Sequence, residues 1–295
     1  MSNAPLLAAE NLRIDLDGAV AIEGASFESR GNSVVLLGDA DGLVAAIAGK
    51  ATVRSGTLAL LGSDVERRAH LEPSVVGLAP LDPPLPPRWT AREYLVWGAR
   101  LAGSNRAAAQ KEALATLSDL GLEALTTKLL EELTLGERRA LVLAQAVAAK
   151  PAVLIASAPL TGLSGPDAPF VAAVLAAATR HRKWIISLSN PHAGSPENVL
   201  ATAADDVLVF ASGRLLRHGK LQRIEDGTIG YTLMLRGEVA AFRDALHQRG
   251  VELSGGPHRF FLELPPEVRA QDLLMISLEV GAPIIELVPR ILLPP

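Results

Sequence analysis

The feature that most constrains the fold is an uninterrupted apolar run, Ser33–Gly38, which ends in glycine. Strands that are apolar along their whole length are covered on both faces, as in parallel sheets. Two later runs, Ala152–Ala156 and Trp184–Leu188, have the same character, and an alanine-rich segment typical of a helix lies between them at 168–180. Strands that alternate with helices predict an α/β fold with a mostly parallel sheet.

The remaining pattern adds short strands at both ends of this domain and helices in its middle. Residues 80–90 contain too much proline for a helix or a central strand, so they are expected to form an exposed loop. Thr90, with Glu93 three residues later, is a capping-box start for a helix. The predicted strands are 6–14, 21–27, 57–62, 207–210 and 214–219, and the predicted helices are 106–119, 123–131 and 136–149.

Composition restricts the class of protein. The 295 residues are 49% hydrophobic and 20% charged, enough apolar content for a substantial core. We expect neither a membrane span nor a secretory signal, because there is no apolar run of about 18 residues and no basic segment leading into an apolar one at the start. The absence of cysteine excludes disulfides and thiolate metal ligands. A net charge of −4 without a cationic block argues against nucleic-acid binding.

A second domain is predicted after residue 228, where the composition shifts. The tail has the order strand 231–235, helix 239–249, strand 260–264, helix 268–280 and strand 284–288. We therefore predict one domain at 1–228, whose helical part covers about 88–148, and a small α/β lobe at 229–295.

Several short motifs follow one another in a fixed order. They are Val34–Gly38, Ser55-Gly56-Thr57, Leu78–Leu81, Leu133–Glu137, Ala158–Leu163 and Ser187–Asn190. In that order they resemble the P-loop, the strand after it, the Q-loop, the LSGGQ signature, Walker B with the D-loop, and the H-loop of ABC transporter ATPases. The resemblance covers about residues 6–225. It implies a P-loop NTPase-like ABC ATPase fold, with a mixed β-sheet core and a helical subdomain.

The tail resembles the small C-terminal lobe on ATPase subunits of some bacterial exporters. Together the two resemblances indicate an ATP-binding subunit of the exporter type.

The P-loop counterpart lacks the groups that bind a nucleotide. A P-loop holds phosphates with glycine N–H groups, a lysine and a hydroxyl on Mg²⁺. Residues 38–49 contain no lysine, serine or threonine and are about four residues shorter than the family pattern. Asp39 and Asp41 add carboxylates, each of which would repel a phosphate charge by about 4 kcal/mol at about 4 Å. Gly38, Asp39, Asp41 and Gly42 therefore predict a degenerate P-loop. We interpret the segment as a strand-to-helix turn whose aspartates cap the helix.

The catalytic positions have changed in the same direction. Ser157 and Ala158 stand where Walker B places a Mg²⁺ ligand and the base that polarises water, and neither can act as that base. Leu81 stands at the Q-loop position. Asn190 stands at the switch-histidine position, with His192 two residues on as the alternative. These losses predict no ATP hydrolysis, no cofactor bound by this chain itself and no metal site.

The signature counterpart is better preserved. In the family, this motif of one subunit contacts the ATP held by another. Thr134 keeps a hydroxyl, Gly136 one of two glycines and Glu137 a polar side chain, so the resemblance implies a contact to ATP and Mg²⁺ bound by a partner subunit. Leu135 replaces a glycine where backbone approaches phosphate. The alternative is an ordinary capped helix.

Two further surfaces are implied by the resemblance. The proline-rich loop contains Trp89 and leads into Tyr94 and Trp97, and it lies where the family contacts the membrane subunit; the alternative is a satellite core under that loop. The expected dimer contacts are Leu133, Thr161 and Gly162.

We therefore predict a pseudo-ATPase. It would pair with an active ABC ATPase subunit, dock on membrane permease subunits, and lie at the cytoplasmic face of the inner membrane. The first alternative is a regulatory or scaffolding protein that uses the fold as a binding surface. The second is an active ATPase with unusual ligands.

Overall fold

A computed structural model describes residues 4–67, 72–189, 191, 195–221, 229–237, 239–256, 259–265, 268 and 270–291. The chain divides into two compact units, residues 1–189 with 203–219 and residues 190–202 with 220–295. The predicted domain boundary at 228 lies in segment 222–228, outside the described residues, and stays a prediction.

The first unit begins with a four-stranded antiparallel sheet in the order β2-β1-β4-β5. Its strands are β1 (Leu7–Leu16), β2 (Ala19–Ser29), β4 (Thr52–Leu60) and β5 (Ser63–Asp64). The tight turn at Asp17-Gly18, with φ of +51° and +83°, joins β1 to β2. The strand predicted at 57–62 begins five residues earlier than expected, because residues 52–55 pair with β1.

The second sheet of this unit has the order β10-β9-β3-β8-β7-β6. Strands β9, β3, β8, β7 and β6 run parallel, and β10 pairs antiparallel with β9 at one edge. The uninterrupted apolar runs thus form the buried centre, as predicted. The strands are β3 (Ser33–Gly38), β6 (Val76–Ala79), β7 (Val153–Ala156), β8 (Lys183–Leu188), β9 (Asp206–Ala211) and β10 (Arg214–Gly219).

The helices of this unit are α1 (Asp41–Ile47), α2 (Ala91–Leu101), α3 (Arg106–Asp119), α4 (Leu135–Ala148) and α5 (Asp167–Thr179). The predicted capping box of Thr90 and Glu93 opens α2. The helix predicted at 123–131 is wrong: the segment forms two short 3₁₀ turns, Glu123–Leu125 and Leu130–Glu132. Leu129 is extended there and bridges to Thr90, which ties this segment to the start of α2.

One core fills the space between α1 and the strands of both sheets. Leu36, Leu43, Ile47 and Phe210 are fully buried within it. Because α1 contacts β1, β2 and β4, the packing fixes the connection between β3 and α1 at the carboxyl end of the central strand.

The second unit contains α6 (Pro196–Ala203), β11 (Ile229–Leu235), α7 (Val239–His247), β12 (Leu253–Gly255), β13 (Arg259–Leu264), α8 (Ala270–Glu279) and β14 (Ile284–Ile291). Its sheet is antiparallel in the order β12-β13-β11-β14. Phe242, Leu246 and Leu273 are fully buried in its core. The element order of the tail matches the prediction except for β12, a three-residue strand. Among the described residues, no helix combines the length and apolarity needed to cross a bilayer.

Candidate functional site

The connection between β3 and α1, where the P-loop is expected, contains only two residues, Asp39 and Ala40. Gly38, with φ of +77°, makes the sharp turn. The Asp39 N–H donates to the carbonyl oxygen of Phe210 at 3.3 Å, and the Ala40 N–H donates to that of Gly38 at 2.8 Å. Both backbone donors of the connection are thus engaged within the chain, and α1 behind them has only seven residues.

The two aspartates of this segment have different surroundings. The Asp39 carboxylate accepts from the N–H of Ser212, in the turn between β9 and β10, at 3.0 Å. The N-cap of α1 is Ala40, and no side chain caps the helix there. The interpretation that the aspartates cap α1 is therefore wrong, because Asp39 reaches the neighbouring turn instead. Asp41 is the first helical residue, where a negative charge complements the helix dipole.

The beginning of α1 also lies tightly against β2. Gly42 is buried, and a Cβ added to it would come within 2.5 Å of the Ala21 Cβ. The absence of a side chain at residue 42 thus lets α1 pack closely on β2.

The Walker B counterpart lies at the carboxyl end of β7. The Ser157 N–H donates to the carbonyl oxygen of Ala79 at 2.9 Å. The Ala158 N–H donates to the carbonyl oxygen of Ser187 at 3.1 Å and to its hydroxyl at 2.9 Å. Ala158 has a φ of +43°, which is left-handed backbone rare for a residue with a Cβ. Ser157 and Ala158 thus directly follow β7, the strand that lies between β6 and β8 in the sheet.

A guanidinium that the sequence analysis did not single out joins three segments near that edge. Arg139, in α4, is 7% exposed. It donates from Nε and Nη2 to the two carboxylate oxygens of Asp82, both at 3.0 Å. Its Nη1 donates to the carbonyl oxygens of Pro159, at 3.3 Å, and Thr161. The hydrogen bonds from Arg139 hold the pKa of Asp82 below its ordinary value.

This arginine lies in the helix that the signature counterpart begins, and it contacts residues that follow the counterparts of the Q-loop and of Walker B. Asp82, with φ of +43°, follows the Q-loop position Leu81, whose side chain is exposed. Pro159 and Thr161 follow the Walker B position. The signal that could have identified the pair is a charged residue, Arg139, on the apolar face of a helix, since a buried charge needs a partner.

The signature counterpart begins α4, and its polar groups are bonded within the chain. Thr134 is the N-cap: its hydroxyl accepts from the Glu137 N–H at 3.2 Å, and its own N–H donates to the Glu137 carboxylate at 3.0 Å. The other carboxylate oxygen of Glu137 accepts from Lys128 at 2.7 Å. These contacts form the capping box of α4.

A second carboxylate, Asp167 at the start of α5, closes the same helix end. It accepts from the Gly136 N–H at 3.1 Å and from the Thr134 hydroxyl at 3.2 Å. A Cβ added to Gly136 would lie 2.6 Å from the Asp167 Cγ. The backbone of Gly136 thus approaches a carboxylate of this chain at the place where the resemblance expects a partner's phosphate.

The expected dimer contacts have different environments. Leu133 is 5% exposed, so its side chain packs in the core and not on a surface. The Thr161 and Ser189 hydroxyls are hydrogen-bonded to each other. Gly162 is exposed with φ of +70°. The candidate switch positions Asn190 and His192 lie outside the described residues.

The three aromatic residues form one cluster. The rings of Trp89 and Trp97 meet edge to face at 5.8 Å, and those of Tyr94 and Trp97 stack at 6.4 Å. Trp97 nevertheless remains 47% exposed. Burial raises the pKa of Tyr94. The cluster is therefore a small packed group that presents one large ring outward, and the contact with a membrane subunit stays a prediction.

The described residues contain no group of three histidine, aspartate or glutamate side chains placed to hold a metal ion.

The chain is similar in sequence to known ATP-binding proteins of ABC transporters. Residues 41–161 match the family model described as ABC transporter. An uncharacterised ABC transporter ATP-binding protein, YxlF, of Bacillus subtilis (strain 168) is 24% identical over 268 residues, covering 88% of this chain and 87% of that protein. Nod factor export ATP-binding protein I of Paraburkholderia xenovorans (strain LB400) is 35% identical over 115 residues, 39% of this chain and 38% of that protein.

Two solved structures share the fold. CbiO1 from Clostridium perfringens, described as part of the ABC transporter complex cbiONQ, superposes with a TM-score of 0.63 at 20% identity and covers 76% of this chain and 91% of its own. The ADP conformation of MJ1267, an ATP-binding cassette of an ABC transporter, gives a TM-score of 0.60 at 16% identity. It covers 74% of this chain and 92% of its own. The predicted fold class is confirmed by these structures.

Proposed function

We propose that this chain, whose family match, relatives and fold support an ABC transporter ATP-binding domain, is a pseudo-ATPase subunit of a transporter complex. It would bind and hydrolyse no ATP of its own. It would pair with an active ATPase subunit and dock on membrane permease subunits, peripherally at the cytoplasmic face of the inner membrane. The similarity to a Nod factor export protein supports an export complex.

The length of the connection between β3 and α1 carries this proposal. A phosphate group is held by several consecutive N–H groups that converge on it. Here the connection offers two, those of Asp39 and Ala40, and both donate to carbonyl oxygens of this chain. The Asp39 carboxylate adds a negative charge beside them. The missing lysine and the two engaged donors together support the proposal more strongly than the missing lysine alone.

The beginning of α4 supports the alternative of a capped helix over a contact to a partner's ATP. The Gly136 N–H and the Thr134 hydroxyl already donate to Asp167. A phosphate that approached them would meet a carboxylate at close range, and at about 4 Å two such charges repel by about 4 kcal/mol. We therefore propose that the role of this subunit in the pair is mechanical.

The proposal is tested by titrating the purified full chain with a fluorescent ATP analogue and Mg²⁺. We expect no saturable binding up to millimolar concentration, while a catalytically intact ABC ATPase domain serves as the positive control. Micromolar affinity would overturn the loss of the nucleotide site and favour an atypical ATPase.

The partner assignment is tested separately, by isolating the chain from its native cell under mild detergent. Recovery of an intact ABC ATPase and a permease in stoichiometric amounts is expected. Recovery without either would favour the regulatory or scaffolding function instead.

A further inference from the structure

A groove on the outer side of α2 carries charge opposite to that of the whole chain. It is a cavity of about 880 Å³ between α2, the loop before it and the start of α3. It is lined by four arginines, one glutamate, two tryptophans and smaller apolar or amide side chains: Arg88, Trp89, Arg92, Glu93, Val96, Trp97, Arg100, Leu101, Arg106 and Gln110.

The spacing along α2 sorts these side chains into two ridges. Arg92, Val96 and Arg100 follow one another at intervals of four residues, and Glu93, Trp97 and Leu101 form the adjacent row. Arg92 and Arg100 are thus separated by about 12 Å along the helix axis. One ridge is cationic at both ends, and the other presents large apolar groups.

The groove is cationic because four arginines line it with one glutamate, and that glutamate is bonded to the start of α2. The Glu93 carboxylate accepts from the Thr90 N–H at 2.7 Å and hydroxyl at 2.9 Å. These bonds hold the pKa of Glu93 below its ordinary value, so the group stays charged. Four arginines and one glutamate give the lining a formal charge of +3, whereas the chain as a whole carries −4.

The arginines are available to a partner. Across the described ranges from 4–67 to 270–291, no ion pair involves Arg88, Arg92, Arg100 or Arg106. Guanidinium groups recognise carboxylates through two parallel hydrogen bonds. A partner that supplies carboxylates would therefore gain both charge pairing and geometry.

The apolar ridge is exposed but held in place. Trp97 is 47% exposed and Leu101 68% exposed, although Trp97 packs against the rings of Trp89 and Tyr94. The loop beneath is fixed by backbone bonds, since the Leu130 N–H donates to the Trp89 carbonyl oxygen at 2.9 Å. A preformed aromatic anchor costs little entropy on binding, and tryptophan and arginine are the residues that contribute most at interfaces.

We infer that this groove binds an acidic amphipathic helix of a partner protein. Its apolar stripe would cover Trp97 and Leu101, and its carboxylates, two turns apart, would pair with Arg92 and Arg100. This inference rests on the proposed docking role and deepens it by stating the chemistry of the segment that docks.

The test measures binding of a probe to the purified full chain. The probe is a fluorescent 18-residue helical peptide with a leucine and tryptophan stripe and glutamates spaced seven residues apart. A second peptide has every glutamate replaced by lysine. We expect saturable micromolar binding of the acidic peptide, and at least about tenfold weaker binding of the basic one.

Charge reversal supplies the decisive comparison. The R92E/R100E variant should lose at least about tenfold in affinity for the acidic peptide and gain affinity for the basic one. The matched control R180E/R217E changes the same charge at exposed arginines elsewhere on the unit and should leave the affinity within about twofold. Trp97→Ala should weaken both peptides, and unchanged thermal unfolding of each variant shows that it is folded.

Two results would overturn the inference. One is equal affinity of the wild-type chain for both peptides. The other is binding to phosphatidylserine-containing vesicles or to duplex DNA that is lost in R92E/R100E while the acidic peptide does not bind. Neither result touches the proposed function, which fails only on the nucleotide titration and on the isolation from native cells.

Discussion

The connection between β3 and α1 and the beginning of α4 are both counterparts of nucleotide-contacting motifs, but they differ in what remains. The first is short: two residues span it, and the start of α1 packs closely against β2. The second has kept its length and its capping geometry, and its donors are satisfied by Asp167 and Glu137. Under the proposed function, the first region fails to bind a nucleotide because its connection is short and the second because its donors are occupied, and the two explanations require different experiments.

The largest effect is expected at the guanidinium that connects α4 to the segments around it. Arg139→Met removes the donors to Asp82, Pro159 and Thr161 and should lower the free energy of unfolding by about 2–3 kcal/mol. The cost stays in this range because Asp82 is about half exposed and can bind water. Urea denaturation measures it. The neighbouring Arg138→Met, which loses one bond to the Leu133 carbonyl, should cost less than about 1 kcal/mol, and equal costs would contradict the role of Arg139.

The second prediction concerns the beginning of α4, where Asp167 accepts hydrogen bonds from Thr134 and Gly136. Gly136→Ala places a methyl group against Asp167 and should destabilise the chain by about 1–2 kcal/mol. In an Asp167→Gly background both the carboxylate and the Cβ of residue 167, which would lie 2.8 Å from the added methyl group, are gone, and alanine at 136 should then be the better helix residue by up to about 1 kcal/mol. The sign of the Gly136→Ala effect should therefore reverse between the two backgrounds. A double-mutant cycle measured by denaturation shows this, and an additive cycle would refute the contact.

The third prediction concerns pH. Because the pKa of Asp82 is lowered in the folded chain, its bond to Arg139 stabilises the fold above the unfolded pKa of about 3.9. That stability is lost as pH falls through the folded pKa. Asp82→Asn should therefore be less stable than the wild type by about 1 kcal/mol at pH 7, and the difference should shrink below about pH 4. A difference that stays constant between pH 7 and pH 3 would exclude this carboxylate as the source.

The smallest effect is expected at the connection between β3 and α1. There, ATP binding should stay absent when the charge is changed and the length is kept. The double variant D39S/D41K removes both carboxylates and introduces a lysine and a hydroxyl without changing the length of the connection. We still expect no saturable binding of the fluorescent ATP analogue with Mg²⁺. Binding in the micromolar range would show that charge, and not length, had removed the site.

The sequence predicted the parallel sheet, the helical part and the element order of the tail, because uninterrupted apolar runs and capping residues act locally. Local patterns failed at 123–131, where pairing of Leu129 with Thr90 overrides helix propensity. They also missed β6, a short strand whose Gly77 lets the α4 backbone approach, since an added Cβ would lie 1.9 Å from the Ala146 carbonyl oxygen.

In the candidate site, the sequence identified the positions but not their partners. Ser157 and Ala158 directly follow the strand predicted at 152–156, whereas Leu81 follows β6, which was not predicted. The pairs Arg139 with Asp82 and Gly136 with Asp167 join residues 57 and 31 positions apart. The position of Arg139 on the apolar face of a helix indicates that it needs a partner, but a single sequence does not show which distant residue supplies it.

The two-residue connection between Gly38 and Asp41 also bears on evolutionary reversibility. A lost lysine can return through one codon change, and descendants of such a protein can regain activity. Here a return would need an in-frame insertion of several residues together with displacement of α1 from the Ala21 side chain. Under the proposed function, change is therefore expected at the contact surfaces of the chain and not through recovery of catalysis.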